Sequence, residues 1–223
     1  MGWILRTFKS RKAEVLLTLY RSYVIPLLEY ASVLWTPYKI KDIIKMESIQ
    51  RSITAKIEGL KHLNYHQRLR ALKLFSLQRR RERYSAIYVY KIAMNLVPNN
   101  LNLQFYTTSR HGLKCRLLKI PATHIGTVRK NSFISAGPSL FNILPSEIKE
   151  AISLEQFKSR LDKFLISIPD LPPTHGYSAI NKNTILEWVT GNYDYKQIIE
   201  TLAEVSVRSQ PERGSAVSKP DRS

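Results

Sequence analysis

The chain has 223 residues, of which 43% are hydrophobic, and its 35 Lys and Arg against 17 Asp and Glu give a formal net charge of +18. That length and apolar content are enough to bury a core, and they exclude disorder over the whole chain. The charge excess repels itself in a compact state, so we expect a polyanionic partner, with nucleic acid ahead of an anionic membrane surface.

Helical periodicity begins in the first part of the chain. Apolar residues at three- and four-residue steps predict an amphipathic helix over residues 12–35. Pro26 lies inside this pattern, and we expect a kink or a break near Tyr23–Pro26. The same periodicity predicts three further helices, over residues 42–57, 64–73 and 77–96.

Polar residues at the starts of two of these helices have the types expected of caps. Asn64 and Gln67 are spaced as a capping box, and Ser76 can cap the helix that begins at Leu77. The second half of that last helix, Tyr84 to Met94, is apolar nearly all round. A helix of this kind usually lies in the middle of a bundle, which predicts a helical bundle over residues 12–96.

The chain changes character after residue 106. Weak alternation over residues 113–120 and 128–135 predicts a β-hairpin or an extended pair. Ser153 and Gln156 resemble a capping box and open a helix with an apolar face at Leu154, Phe157, Leu161 and Leu165. The predicted fold is mainly α, with a helical domain over 1–100, an α+β segment over 101–205 with short helices near 182–204, and a disordered tail over 206–223.

Basic residues are concentrated between Lys39 and Arg83, where 13 of them face only four acidic residues. The densest cluster lies near the start of the helix capped by Ser76, where the macrodipole disfavours cations by about 0.3–1 kcal/mol each. Helix stability does not explain this placement, so we favour phosphate contact over the plainer interpretation of a solvated helix face. The predicted nucleic-acid-binding residues are Arg79, Arg80, Arg81 and Arg83, with Lys39, Lys41 and Lys45 as helpers.

Two aromatic residues stand among the basic ones just before the second predicted helix. Trp35 and Tyr38 interleave with Lys39 and Lys41, a pattern that can serve base stacking. Trp35 also continues the apolar stripe of the first helix, and for that reason we assign it to the core.

No pattern typical of an active site or a cofactor site is present. The sequence has no G-x-x-x-x-G-K-[ST] or G-x-G-x-x-G phosphate loop and no G-x-S-x-G elbow. Magnesium-dependent chemistry needs clustered carboxylates. The pairs His62 with His66 and His111 with Cys115 lack further ligands. We therefore predict no metal, no cofactor, no small-molecule substrate and no enzymatic activity. The five aspartates are scattered: Asp42, Asp162, Asp170, Asp194 and Asp221.

The cysteine content and the hydropathy bear on the compartment. The single cysteine, Cys115, excludes an internal disulfide and fits a reducing compartment. No apolar run reaches the roughly 18 residues of a membrane-spanning helix, so no membrane partner is expected. An intracellular location is predicted, with nucleus and cytoplasm both left open.

Several stretches, short individually but fairly specific in combination, together cover about residues 1–180. They are GWILRTF (2–8), LYRSYVIPLLEYASVLW (19–35), Ile49-Gln50-Arg51, LQRRRERY (77–84), Asn131-Ser132-Phe133, GPSLFNILP (137–145) and Phe157-Lys158. These stretches resemble the thumb and the following segment of jockey-like non-LTR retrotransposon reverse transcriptases.

The resemblance implies a fragment without catalytic residues. The family's enzyme needs a palm with paired aspartates after Phe or Tyr, and this sequence has none, so no catalytic residue carries over. Met1 is interpreted as an internal methionine of a longer protein that would also contain endonuclease, fingers and palm. In the family the thumb grips the template–primer duplex, which implies backbone contacts to an RNA–DNA hybrid or duplex. The alternatives are a decayed element product acting as a protein-interaction module, and a partner of an intact reverse transcriptase.

Overall fold

The computed structural model describes residues 2–108, 112–117, 131–174 and 183–191. This part of the chain is mainly helical with one small antiparallel sheet, which confirms the predicted fold class. None of the described helices is long and apolar enough to cross a membrane. The helices are α1 (Gly2–Thr7), α2 (Ala13–Leu19), α3 (Ile25–Glu29), α4 (Ile40–Thr54), α5 (Tyr65–Ala71), α6 (Leu77–Ala93), α7 (Phe133–Ile143), α8 (Ser146–Lys149), α9 (Leu154–Ser167) and α10 (Ile185–Thr190), and the strands are β1 (Leu103–Thr108) and β2 (Gly112–Leu117).

The first predicted helix is broken where Pro26 predicted a break. A π-helical turn, Tyr20–Val24, separates α2 from α3, and the Ile25 N–H donates to the Tyr20 carbonyl five residues back. Pro26 has no N–H and occupies the first turn of α3, where none is needed. The helix ends at Glu29 rather than near residue 35, because Ala31 takes a left-handed backbone with φ of 49°.

Helix α6 forms the centre of the structure, as its all-round apolar second half predicted. Ala86, Val89 and Tyr90 are fully buried, and α6 packs against α4, α7 and α9. The Tyr90 ring stacks on Phe157 of α9 with centroids 4.0 Å apart, and its hydroxyl donates to the Ala151 carbonyl at 2.5 Å. A Phe or Tyr in such a site contributes through both buried area and ring stacking.

The predicted helix caps are present. Asn64 and Gln67 form a reciprocal capping box at the start of α5. The Ser76 hydroxyl accepts from the Arg79 N–H at the start of α6, and the Ser153 hydroxyl accepts from the Gln156 N–H at the start of α9. Because these contacts involve residues three apart, the sequence alone was sufficient to predict them. The capping box predicted at Ser153 is only half formed, because the Gln156 side chain accepts from the Ile152 N–H.

The sheet does not pair the segments predicted for it. Strand β1 pairs with β2 in antiparallel register from Leu103 opposite Leu117 to Thr108 opposite Gly112. The predicted strand at 113–120 is correct over its described part. The strand predicted at 128–135 is wrong where it is described, because Phe133 begins α7. Residues 118–130 lie outside the described residues. Helix formation is favoured there because it buries Leu140 and Phe141 and places the Phe133 ring edge-on to Tyr88 of α6, with centroids 5.5 Å apart.

The segment after α9 packs on the start of α6. Asp170 accepts hydrogen bonds of 2.7 Å from both the backbone N–H and the hydroxyl of Ser76. The Asn183 side-chain N–H donates to Asp170. The Asn183 side-chain oxygen accepts from the Leu171 N–H and from the Trp188 indole N–H. These contacts cross residue 100, where the sequence placed a domain boundary; the division into domains stays a prediction. The tail predicted over 206–223 lies outside the described residues.

Candidate nucleic-acid interface

The four predicted arginines lie in the first two turns of α6, as the Ser76 cap predicted. Their side chains face the protein interior more than the solvent. Arg79 is 0% exposed and Arg81 is 3% exposed. The side chains of Arg80 and Arg83 are 29% and 20% exposed. The cluster is therefore largely enclosed by the fold.

Two of these arginines form ion pairs with carboxylates that are far away in sequence. Arg80 donates from Nε and Nη2 to the two carboxylate oxygens of Glu29, the second at 3.1 Å. Arg83 donates in the same two-point manner to Asp162, at 2.5 and 2.8 Å. Burial lowers the pKa of Arg80, but its contact with Glu29 outweighs this and leaves the pKa raised. The small number of acidic residues between Lys39 and Arg83 therefore does not leave the cluster unpaired, because Glu29 and Asp162 both lie outside that stretch.

The two buried arginines are held by main-chain carbonyls. Arg79 Nη2 donates to the Pro169 carbonyl at 2.8 Å, and its Nε lies 3.8 Å from Glu82. Arg81 Nη2 donates to the Leu28 carbonyl at 2.6 Å. Such contacts connect α6 to the segment after α9 and to α3. The phosphate-binding role of the four arginines stays a prediction. Arg79 Nε and Nη1 and Arg81 Nη1 are buried without a hydrogen-bond partner among the described residues, so they are not presented to a ligand at the surface.

Trp35 lies at the surface rather than in the core, which corrects the expectation from its helical spacing. It is 43% exposed, and the Arg81 guanidinium stacks over its ring with 4.1 Å to the centroid. The indole N–H donates to the Tyr30 carbonyl. The tryptophan therefore covers a buried charge on one face and meets solvent on the other.

The three predicted lysines lie on α4 and are all exposed. Lys39 is the N-cap residue of α4, with no side-chain capping bond, and Lys41 and Lys45 follow within the helix. Continuing at three- and four-residue steps gives a single exposed row, which we name the α4 stripe. Its members are Lys41, Lys45, Ser48, Ser52 and Lys56.

The charge of the α4 stripe is not neutralised within the described structure. The ion pairs found among the described residues belong to Arg79, Arg80, Arg83 and Lys158, and none includes a lysine of the stripe. A helix rises 1.5 Å per residue, so the stripe extends about 16 Å from Lys41 to Ser52. It is a linear, rigid and basic surface.

A buried polar network fixes the rotation of α4 that turns this stripe outward. Glu47, on the opposite side of the helix, accepts from the Tyr65 hydroxyl at 2.6 Å and from the Gln78 N–H at 2.8 Å. Gln50 accepts from the Tyr20 hydroxyl at 2.8 Å and donates to the Phe75 carbonyl at 3.0 Å. Burial raises the pKa of Glu47 to about 7, although both hydrogen bonds oppose the shift.

Lys56 and the two serines were missed by the sequence reasoning. The spacing that continues from Lys41 and Lys45 through Ser48 and Ser52 was available in the sequence. The dense arginine cluster was preferred because the density of charge can be counted in a sequence, whereas the burial of its side chains cannot. Long-range partners such as Glu29 and Asp162 left no local signal.

The predicted absence of a metal site concerns histidines of which only some are described. Within the described ranges, no group of three His, Cys, Asp or Glu residues is placed to hold a metal ion. His66 Nε2 forms a 3.0 Å hydrogen bond with the Pro172 carbonyl, and His62 is exposed. Burial lowers the pKa of His66. His111 and the side chain of Cys115 lie outside the described residues.

Comparisons of the chain with family models, with curated proteins and with solved structures found no match. The resemblance to a reverse transcriptase thumb therefore stays an expectation from the sequence.

Proposed function

We propose that this chain is a non-catalytic, sequence-tolerant nucleic-acid-binding module that uses Lys39 and the α4 stripe as its contact surface. The observation that carries the proposal is the set of exposed lysines along α4, from the N-cap Lys39 through Lys41 and Lys45 to Lys56 just past the helix end. None of them forms an ion pair among the described residues. The net charge of +18 supports it, because a surface of this kind favours a polyanion.

The chemistry of the stripe suits phosphates rather than bases. Lysine ammonium groups are common donors to phosphate oxygens, and such contacts position a protein without selecting a sequence. The Ser48 hydroxyl, by contrast, already donates to the Lys45 carbonyl at 2.6 Å. Phosphates of one strand recur about every 3.4 Å along a duplex, so 16 Å of helix covers about five of them. We therefore expect similar affinity for unrelated sequences.

The placement of the lysines at the start of α4 adds a second argument. The macrodipole disfavours cations in the first turn by about 0.3–1 kcal/mol each, and Lys39 and Lys41 both lie there. A bound phosphate would offset this cost, since it also favours the positive end of a helix. The arginines at the start of α6 face the same cost, but their side chains are buried or held in ion pairs, whereas those of Lys39 and Lys41 are exposed.

The proposed family origin agrees with this use of a helix. The sequence resembles the thumb of jockey-like non-LTR retrotransposon reverse transcriptases, a helical element that grips the template–primer duplex. We accordingly propose an RNA–DNA hybrid or another duplex as the ligand, without catalysis by this chain. Two of the three described aspartates, Asp162 and Asp170, accept hydrogen bonds from Arg83 and Ser76 and so serve the fold, which supports the non-catalytic part of the proposal.

A second candidate function is a protein-interaction module. The surface around α3 exposes large apolar side chains: Leu27 is 77% exposed, Tyr30 80% and Leu34 85%. Apolar side chains grouped in this way are typical of protein contact sites. An intact reverse transcriptase is the partner that the resemblance suggests.

An equilibrium binding series distinguishes the two candidates. The purified chain is titrated against labelled RNA–DNA hybrid, double-stranded DNA and single strands of unrelated sequence at several salt concentrations. If Lys39, Lys41, Lys45 and Lys56 each neutralise one phosphate, the logarithm of the binding constant for duplex DNA should fall with log[salt] with a slope of about −4. Absence of salt-dependent duplex binding would contradict the nucleic-acid proposal and leave the protein-interaction candidate.

A further inference from the structure

A cavity of about 390 Å³ lies between α3, the turn that follows it, and α6. This volume is at the lower end of the range typical of sites for small ligands. Ten residues line it, and three of them, Tyr30, Tyr84 and Tyr88, are tyrosines. Their rings suit a flat aromatic ligand.

Contacts behind the cavity hold two of the tyrosine rings in place. The Tyr84 hydroxyl donates to Glu29 Oε2 at 2.9 Å. The Tyr88 ring meets Phe133 edge-on at an interplanar angle of 74°. Tyr30, by contrast, is 80% exposed and lines the cavity from the turn after α3. The arrangement is two fixed rings with one exposed ring that a ligand can cover.

The charge at this site favours a ligand that carries negative charge. Glu29 lines the cavity, but Arg80 and the Tyr84 hydroxyl already bind its carboxylate. Lys91 also lines the cavity and is absent from the ion pairs of the described residues. An aromatic group attached to an anion therefore matches both the rings and the lysine.

We propose that this cavity takes an unpaired base of the bound nucleic acid, so that the preferred ligand is a duplex with a single-stranded overhang. This inference rests on the proposed function, since the α4 stripe holds the phosphates of the duplex. Unpaired bases bind proteins chiefly by stacking on aromatic side chains, which tolerate any sequence.

The cavity and the lysines are close enough for one strand to reach both. Val33 lines the cavity, and Lys39 is six residues further along the chain. Six residues span at most about 22 Å even when fully extended. An overhang of four nucleotides is a suitable probe length for this distance.

The test compares three RNA–DNA hybrids that share the same duplex. One is blunt, one has a four-nucleotide overhang, and one has an overhang of four abasic residues. The two overhangs carry equal phosphate charge, so any difference between them comes from the bases. We expect the natural overhang to bind on the order of tenfold more tightly than the abasic one, as stacking of one or two bases would give.

Variants of the exposed ring assign that difference to the cavity. Tyr30→Ala should abolish the preference for the natural overhang and leave affinity for the blunt hybrid unchanged, whereas Tyr30→Trp should keep the preference. Tyr106→Ala, which removes an exposed tyrosine of β1 outside the cavity, is the matched control and should behave as wild type.

Two results would overturn the inference while leaving the proposed function intact. One is equal affinity of wild type for the natural and abasic overhangs, together with salt-dependent binding of the blunt hybrid. The other is a preference that survives Tyr30→Ala. If equal affinity coincides with self-association that Tyr30→Ala abolishes, the cavity belongs to a protein contact. Failure to bind any duplex at low salt contradicts the proposed function itself, and the inference with it.

Discussion

Arg80 and Glu29 form a two-point ion pair that joins α6 to α3, although the two residues are 51 positions apart in the chain. The Glu29 side chain is only 10% exposed, and Tyr84 donates a third hydrogen bond to it. A carboxylate enclosed in this way depends on its partners for compensation of its charge. The residue that looks most like a phosphate ligand in the sequence therefore holds two helices together.

We predict that Arg80→Ala destabilises the fold and leaves the salt dependence of binding unchanged. The substitution leaves the Glu29 carboxylate without its main partner, which should lower the free energy of unfolding by about 1–3 kcal/mol. Urea unfolding monitored by circular dichroism measures the change. Lys45→Ala is the control and should stay within about 0.5 kcal/mol of wild type. An unchanged midpoint for Arg80→Ala would refute the structural role of the pair.

The buried carboxyl of Glu47 predicts a pH dependence of stability. Burial raises its pKa from 4.5 to about 7, so between these values the folded state holds a proton that the unfolded state has released. The contribution of Glu47 is therefore complete below pH 4.5, falls as the pH rises to 7, and is constant above. A pKa shift of this size corresponds to a decrease in the free energy of unfolding on the order of 3 kcal/mol between these two pH values.

Glu47→Gln tests this assignment in comparison with wild type. Glutamine stays neutral and can still accept from the Gln78 N–H, so the variant should lose less stability than wild type between pH 5 and pH 8. Burial raises the pKa of Glu82 to about 7, so Glu82 also lowers the free energy of unfolding as the pH rises, equally in both proteins. The pKa of His66 is lowered, so His66 changes the free energy of unfolding in the opposite direction. Glu58→Gln, at an exposed site, should follow the wild-type curve. If the free energies of unfolding of Glu47→Gln and wild type changed in parallel with pH, the raised pKa of Glu47 would be ruled out.

Asp170 predicts a coupling between the start of α6 and the segment after α9. It accepts from the Ser76 N–H and hydroxyl at 2.7 Å and from the Asn183 side chain at 3.0 Å. Asp170→Ala removes three bonds at once and should cost about 2–4 kcal/mol, with faster hydrogen exchange in both α10 and the first turn of α6. Glu58→Ala, at an exposed site, is the control. Faster exchange at only one of the two places would show that the segments are independent.

The parts of the fold that the sequence predicted are those determined by near neighbours. The caps at Asn64, Ser76 and Ser153 and the break at Pro26 all depend on residues within five positions. The apolar second half of α6 predicted a central helix because such a surface must be buried on every side.

The sequence could not predict features that depend on distant partners. The burial of Arg79 follows from a carbonyl 90 positions away, and Arg83 pairs with Asp162 at a separation of 79. The end of α3 is set by a left-handed Ala31, a conformation for which alanine gives no signal. For the candidate interface, the sequence named three lysines that are exposed, but it placed Lys39 and Lys41 before the helix predicted at 42–57. The continuation of the row to Lys56 appears only once the orientation of α4 is known.

The salt dependence of duplex binding by Lys41→Gln/Lys45→Gln tests the central claim most directly. Arg70→Gln/Lys163→Gln is the matched control, since it removes the same charge from exposed positions on α5 and α9. If the α4 stripe holds phosphates, the stripe variant should flatten the slope of log K against log[salt] by about 2 units, and the control should keep the wild-type slope. Equal slopes for the two variants at equal stability would contradict the account, because binding would then follow net charge and not the surface of α4.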